Sequence, residues 1–316
     1  MAFTLIPLSL LICAVVTAPY VISRCVKLHR VEPNLPPGPK GYPIIGNLLD
    51  FPAAYHWLFF SRLRKQYGDI VSLKIFGQRM IIFSKHDDAF EVTVKRHDLY
   101  ADRPQFVTWD ESGWSRDTPL LNGPMWKDHR RFMARLFGTR QLVQKYYGIQ
   151  LKETRKFLRN LLRSPNDLEH HIHHASGSII LKIVYGHDAK DGRDEFIDKV
   201  DLALAQFASV IQPGSSIVDF MPWLRYIPEW MPGGGWKKTM RYYRETMDEV
   251  MTVPYEIVKA RLNSGDAVPC YVTDLLEEEG DDLTPEKEYS IRISAGAVYS
   301  GSALHTFFLA MMIHPE

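Results

Sequence analysis

Between Met1 and Ser23 there is not one charged residue, and Arg24, Lys27 and Arg30 follow at once. That run constrains the chain more than any other feature. As a helix, Phe3 to Ile22 is long enough to cross a hydrocarbon core about 30 Å thick at about 1.5 Å per residue. The basic residues after it place the remainder of the chain on the cytosolic side. A cleaved signal peptide is the rival reading, since Val16-Thr17-Ala18 resembles a cleavage site. No lysine or arginine precedes the apolar stretch, however, and Pro19 would follow the cut. The sequence therefore predicts a retained single-pass anchor over 1–23, a basic and proline-rich hinge over 24–47, and a folded body over 48–316.

That body is globular in composition. The chain is 46% hydrophobic and 24% charged, which excludes a disordered or collagen-like chain. A net charge of +1 gives no sign of the basic excess that a phosphate-tracking surface needs, so nucleic acid is not an expected partner. Three cysteines, Cys13, Cys25 and Cys270, imply no disulfide framework and fit a reducing compartment.

In the hinge, Pro33-Asn34-Leu35-Pro36-Pro37-Gly38-Pro39 cannot be helix or central strand and reads as a stiff, extended connector. His56 to Tyr67 has helical apolar spacing with Gly68 as its stop. Ile70–Ile75 and Arg79–Phe83 flank Phe76-Gly77-Gln78 as a hairpin. Helical periodicity then predicts helices near Asp87–Lys95, Met125–Leu136, Leu142–Leu162, Leu168–Tyr185, Glu195–Ile211, Lys237–Asn263, Tyr271–Glu278 and Pro285–His314. Thr284 and Pro285 are suitable N-cap and first-turn residues for the last of these. A little sheet followed by many helices makes the fold mostly α, in the α+β class.

Trp126 and Arg130 lie four residues apart in Met125-Trp126-Lys127-Asp128-His129-Arg130-Arg131-Phe132, so a helix would present an indole N–H and a guanidinium on one face. Both are donors, and arginine matches a carboxylate bidentately. Taken alone, the segment reads equally as a basic amphipathic helix with one buried tryptophan. His170, His171, His173 and His174 could hold Zn²⁺ from a shared helical face, but no acid stands at the spacing of a His-Glu-x-x-His site. Gly233-Gly234-Gly235 reads as a turn, not a phosphate loop. There is no Gly-x-Ser-x-Gly elbow, and Glu277 to Asp282 reads as a solvated acidic loop.

Several segments, in order, resemble the microsomal cytochrome P-450 family of heme-thiolate monooxygenases, fungal members in particular. Leu35-Pro36-Pro37-Gly38-Pro39 with Ile44-Ile45-Gly46-Asn47 resembles the family's proline-rich hinge. Tyr67-Gly68-Asp69-Ile70-Val71 resembles its first strands, and Ala101-Asp102-Arg103-Pro104 the stretch ahead of its B helix. Trp126 to Arg131 resembles its C helix, and Val218-Asp219-Phe220-Met221-Pro222-Trp223 with Pro228 and Trp230 its F–G region. The resemblance implies a cytochrome P-450 fold and makes Trp126 and Arg130 partners of the heme propionates. Phe106, Trp109 and Trp114 take the position of a substrate loop. Phe220, Trp223, Trp230 and Met231 fall near the expected channel mouth and membrane, and for both groups core packing is the equal alternative. The implied activity is insertion of one oxygen atom of O₂ into a lipophilic small molecule. Electrons would come from an NADPH-dependent reductase at the endoplasmic reticulum membrane, with the body facing the cytosol.

The departures shape the expectation as much. Ala295-Gly296-Ala297 begins like the family's I-helix motif, yet Val298 and Tyr299 stand where an acid and a threonine belong. In the alternative register a stretch carrying them is missing between Gly301 and Ser302. Gly296 and Gly301 then read as remnants of a ligand-facing stretch, because glycine weakens a helix by about 1 kcal/mol relative to alanine. No Phe-x-x-Gly-x-x-x-Cys-x-Gly loop occurs, so no catalytic residue or thiolate ligand is assigned within 1–316. The expectation is an incomplete catalytic domain over 48–316, truncated in or just after the I helix and inactive alone. A membrane-anchored non-catalytic remnant serving as a binding or interaction module is the alternative, and a metal protein built on the histidines the third reading.

Overall fold

The computed structural model describes residues 35–43, 45–52, 55–211 and 216–301. The expected anchor lies outside them. Among the described residues no helix is long and apolar enough to cross a membrane. The chain divides into two compact units, Met1–Ala101 and Asp102–Glu316.

In the first unit the proline-rich segment does more than connect. Pro36 and Pro37 offer carbonyls to the Ser72 hydroxyl (2.6 Å) and the Ser72 N–H (3.0 Å). Prolines cannot donate to a ladder, but their carbonyls can accept from one. Gly46 sits at φ +64°, and a Cβ there would fall 1.9 Å from the Lys74 carbonyl oxygen. Only glycine permits that approach. Buried Asn47 completes the clasp: its Oδ1 accepts the Lys74 N–H (3.0 Å) and its Nδ2 donates to the Pro39 carbonyl (3.3 Å).

The partner of this clasp is an antiparallel hairpin, β1 (Ile70–Ile75) and β2 (Gln78–Phe83), with Ile70 opposite Phe83 and Ile75 opposite Gln78. The inward residues of β1, Val71 and Leu73, pack against Phe59 and Leu63 of helix α1 (His56–Tyr67). The unit continues through α2 (His86–Phe90), a π turn at Glu91–Lys95 and α3 (His97–Tyr100). The single helix expected over Asp87–Lys95 is thus interrupted. β-branched Val92, Thr93 and Val94 fill its second half, residues that favour regular α-helix least.

The second unit is helical: α4 (Val107–Glu111), α5 (Gly123–Phe137), α6 (Arg140–Gln144), α7 (Tyr147–Arg163), α8 (Leu168–Tyr185), α9 (Glu195–Ile211), α10 (Ile217–Phe220), α11 (Trp236–Ser264), α12 (Tyr271–Glu279) and α13 (Pro285–Gly301). The expected helix Leu142–Leu162 is two helices, because the Thr139 hydroxyl caps a short turn by accepting the Leu142 N–H (3.3 Å) and the chain breaks at Tyr146. The expected acidic loop is partly helix as well. Glu278 pairs with Arg135, and Glu279 with Lys287 at 2.6 Å, which ties the end of α12 to its neighbours.

Helix α13 runs through the centre of this unit. It contacts α5, α8, α11 and α12, and every residue from Ile293 to Ser300 is buried. A helix covered all round has no polar face. Here small side chains (Ser294, Ala295, Gly296, Ala297, Ser300) let the neighbours approach. Gly296 shows this most clearly: an added Cβ would stand 2.7 Å from Met251 Cγ on α11. Gly296 therefore serves helix packing, which corrects its reading as a ligand-facing remnant. Ile291 on α13 and Leu181, Val184 and Met247 around it are sealed, each at 0% exposure. Burial of side chains this size contributes about 1.5–3 kcal/mol each.

Candidate functional site: a cavity beside the central helix

A cavity of about 900 Å³ opens between α5, α8 and α13, entirely within the second unit. Its wall is divided by chemistry. Ile179, Ile180 and Ile183 of α8 with Met133 and Phe137 of α5 make it apolar over most of its area. Ala297 and Gly301, four apart on α13, give it a low wall with little side-chain bulk. Thr118 and Pro119 also line it, as does Tyr146 at the break between α6 and α7. Arg103, Trp126 and Arg130 supply a flank of donors.

The expected pair is thus brought together. The Arg130 guanidinium lies over the Trp126 ring at 5.7 Å, and both border the cavity. Among the described residues no carboxylate stands within ion-pair distance of Arg130. The next arginines are engaged elsewhere: Arg131 pairs with Asp128 on its own helix (3.2 Å) and Arg135 with Glu278. An arginine without a carboxylate, in the rim of an apolar cavity, is suited to an anionic group brought by a ligand. Arg103 was not assigned a role from sequence. Its Nε donates to the Pro119 carbonyl (3.3 Å), which sets it beside that flank. No periodicity in a loop could have revealed its direction.

The aromatic substrate candidates do not reach the cavity. Trp114 is 1% exposed and stacks on Phe207 of α9, ring centroids 4.2 Å apart. Trp109 is buried with Val210 and Met240; its Nε1 donates to the Val210 carbonyl (3.4 Å), and Phe106 meets it edge-on at 4.6 Å. Asp219 accepts from both the Thr108 N–H (2.9 Å) and hydroxyl (2.7 Å), fastening this loop to α10. Trp109 and Trp114 are thus buried in packing, one of the two readings their positions left open, and Phe106 is half-buried beside them. In the F–G segment Trp223 and Trp230 are exposed (62% and 83%), as is Met231.

The histidines are also accounted for. His170, His171 and His174 donate to the carbonyls of Gly192, Ser164 and Lys190 at 2.8–3.0 Å. His173 meets Asp201 at 3.3 Å, and that hydrogen bond raises its pKa. The first three clasp loops to α8 and His173 joins it to α9, and among the described residues no group of three or more potential ligands forms a metal site. Cys270, the only described cysteine, is buried in the cap of α12, where the Thr273 hydroxyl lies 3.5 Å from its Sγ.

The cavity fits part of a heme. Its donor flank matches an acidic edge, and its apolar faces with the low Ala297–Gly301 wall admit a flat ring. The described residues supply no axial thiolate, since Cys270 is sealed away from the lining.

A sequence profile described as Cytochrome P-450 matches residues 36–316. Among curated proteins, the chain is 34% identical over 290 residues to cytochrome P-450 monooxygenase 208 of Postia placenta, covering 89% of this chain and 56% of the relative. It is 33% identical over 320 residues to cytochrome P-450 monooxygenase ppsD of Aspergillus oryzae, covering 98% and 60%. O-methylsterigmatocystin oxidoreductase of Aspergillus flavus is 30% identical over 319 residues, with the same coverage of 98% and 60%. The chain thus spans a little over half the length of the curated relatives it matches. With the mostly helical fold, the cavity under α13 and the Trp126–Arg130 pair on its flank, the profile match shows that this chain belongs to the cytochrome P-450 family.

Proposed function

We propose that this chain provides one flank of the heme site, and the access to it, in a membrane-bound monooxygenase acting on a lipophilic small molecule. The observation that carries the reading is the Arg130 guanidinium, without a carboxylate partner among the described residues, beside Trp126 at the rim of an apolar cavity. Trp126 and Arg130 would hold the propionates by charge-assisted hydrogen bonds. Ala297 and Gly301 would let the ring approach α13, and the isoleucines of α8 would keep water from the face they cover. Heme, when bound, supplies activation of dioxygen with electrons from a reductase. The uncharged run before Arg24 supports anchorage in the endoplasmic reticulum membrane with the body in the cytosol, which retention of the chain in carbonate-washed membranes tests.

Hemin titrated into the 316-residue chain tests the reading. The expected result is saturable quenching of tryptophan fluorescence, with no thiolate-type Soret band when the reduced complex is exposed to carbon monoxide. Failure of a helical, folded chain to bind hemin would overturn the reading.

A further inference from the structure

Tyr146 is a phenol at the cavity wall to which the heme reading gives no task. It stands at the break between α6 and α7, where its N–H donates to the Val143 carbonyl (3.1 Å) and its carbonyl accepts the Gln150 N–H (3.0 Å). The side chain belongs to the main core cluster and is 9% exposed, yet it also lines the cavity. Backbone hydrogen bonds and core packing together fix where it stands.

Its hydroxyl is not engaged. Two other buried tyrosines show the contrast: Tyr255 donates to Glu288 (3.2 Å), and Tyr271 and Ser294 share a hydrogen bond of 2.8 Å. Among the described residues the Tyr146 hydroxyl has no hydrogen-bond partner, whereas a polar group on so buried a residue ordinarily has one. The charge beside it is positive. Lys145 Nζ lies over the Tyr146 ring, 5.1 Å from its centroid, and meets Asp274 only at 3.8 Å.

A cavity that takes hemin must answer ferric iron as well as carboxylates. Of the lining side chains with a lone pair to give, Thr118 is already engaged with His129 (2.8 Å). Gln150, Thr154 and Ser176 offer only neutral oxygens. Met133 offers a thioether, a soft ligand better matched to a soft metal. Among the described lining residues, Tyr146 alone can become an anionic oxygen ligand, and a tyrosine oxygen is one of the side-chain ligands that heme iron accepts.

We propose that Tyr146, as its phenolate, is the axial ligand to the iron of hemin bound in this cavity by the 316-residue chain. The phenol O–H bond breaks, its proton passes to water, and an oxygen lone pair forms the Fe–O bond. The iron stays ferric throughout, so neither oxidant nor reductant is consumed. The Lys145 ammonium then lies against a ring that carries negative charge. This assignment rests on the heme reading of the cavity and adds to it the group that meets the metal.

Resonance Raman spectroscopy of the hemin complex of the full chain, excited in a phenolate-to-iron charge-transfer band, tests it. The natural complex should show tyrosinate ring modes. Tyr146→Phe removes one hydroxyl that no described residue uses and keeps the ring in the core. It should lose those modes completely while hemin still quenches its tryptophan fluorescence saturably through the Trp126–Arg130 flank. Tyr147→Phe, on a ring 50% exposed and outside the cavity lining, should keep the modes, as should Met133→Leu. The ligand assignment fails if the natural complex lacks tyrosinate modes, if Tyr146→Phe retains them, or if Tyr147→Phe loses them. Should Tyr146→Phe not fold, 3-fluorotyrosine placed at position 146 alone decides, because it keeps the hydroxyl. Its ring modes must shift, and unshifted modes would refute the ligand. A folded chain that hemin does not quench defeats the heme reading and this assignment with it, whereas saturable quenching without tyrosinate modes defeats this assignment alone.

Discussion

Arg130→Ala should weaken hemin binding by about 10- to 100-fold, and Arg131→Ala should leave it unchanged. A hydrogen bond to a charged group contributes about 1.5–3 kcal/mol, and each 1.4 kcal/mol is tenfold in affinity. The two arginines are adjacent in sequence but differ in direction. Arg130 lies over Trp126 on the cavity flank, whereas Arg131 is satisfied by Asp128 on the solvent side of α5. Fluorescence titration with hemin measures both variants. Weakening in Arg131→Ala with no change in Arg130→Ala would place the anionic edge on the wrong side of the helix.

Trp114→Ala should lower the stability of the second unit by about 3–5 kcal/mol, the usual cost of truncating a large buried aromatic. Its ring fills the space beside Phe207 and is closed off from water. For a unit of this size each kcal/mol is worth about 2–4 °C, so thermal unfolding should begin on the order of 10 °C lower. Trp114→Phe should recover most of that loss. It keeps an aromatic face against Phe207 and removes an indole N–H that is buried without a partner. Trp223→Ala, on an exposed ring, should stay within about 0.5 kcal/mol. Circular dichroism melts compare the three. A Trp114→Ala chain as stable as the natural one would show that Trp114 does not belong to the core.

What could be read from sequence follows the range of the interactions that decide it. Helices α8 and α9 have the expected boundaries because a sustained apolar period and their end residues, such as Gly186, act over a few residues. The Trp126–Arg130 facing was legible for the same reason, being four residues on one helix. The break at Tyr146 was not, since Gly148 beside it is also tolerated inside a helix and the apolar period runs on past it. Its ring is buried at the cavity wall in the cluster that includes residues distant in sequence. For Trp109 and Trp114 the sequence left ligand contact and core packing both open, because aromatics in a polar loop fit either. Their partners Val210 and Phe207 lie more than ninety residues further along. The hinge prolines were understood locally but not as acceptors for Ser72, a contact that exists only once the hairpin forms.

On the proposed reading, a porphyrin would lie against α5 and α13 in the cavity bordered by Trp126. Its most direct test is the spectrum of the seven indole N–H groups in chain labelled with ¹⁵N-tryptophan, before and after addition of diamagnetic zinc protoporphyrin. The Trp126 resonance should move under the ring current while those of exposed Trp223 and Trp230 stay in place. A Trp126 resonance that stays fixed while Trp223 or Trp230 moves would put the porphyrin elsewhere and contradict it.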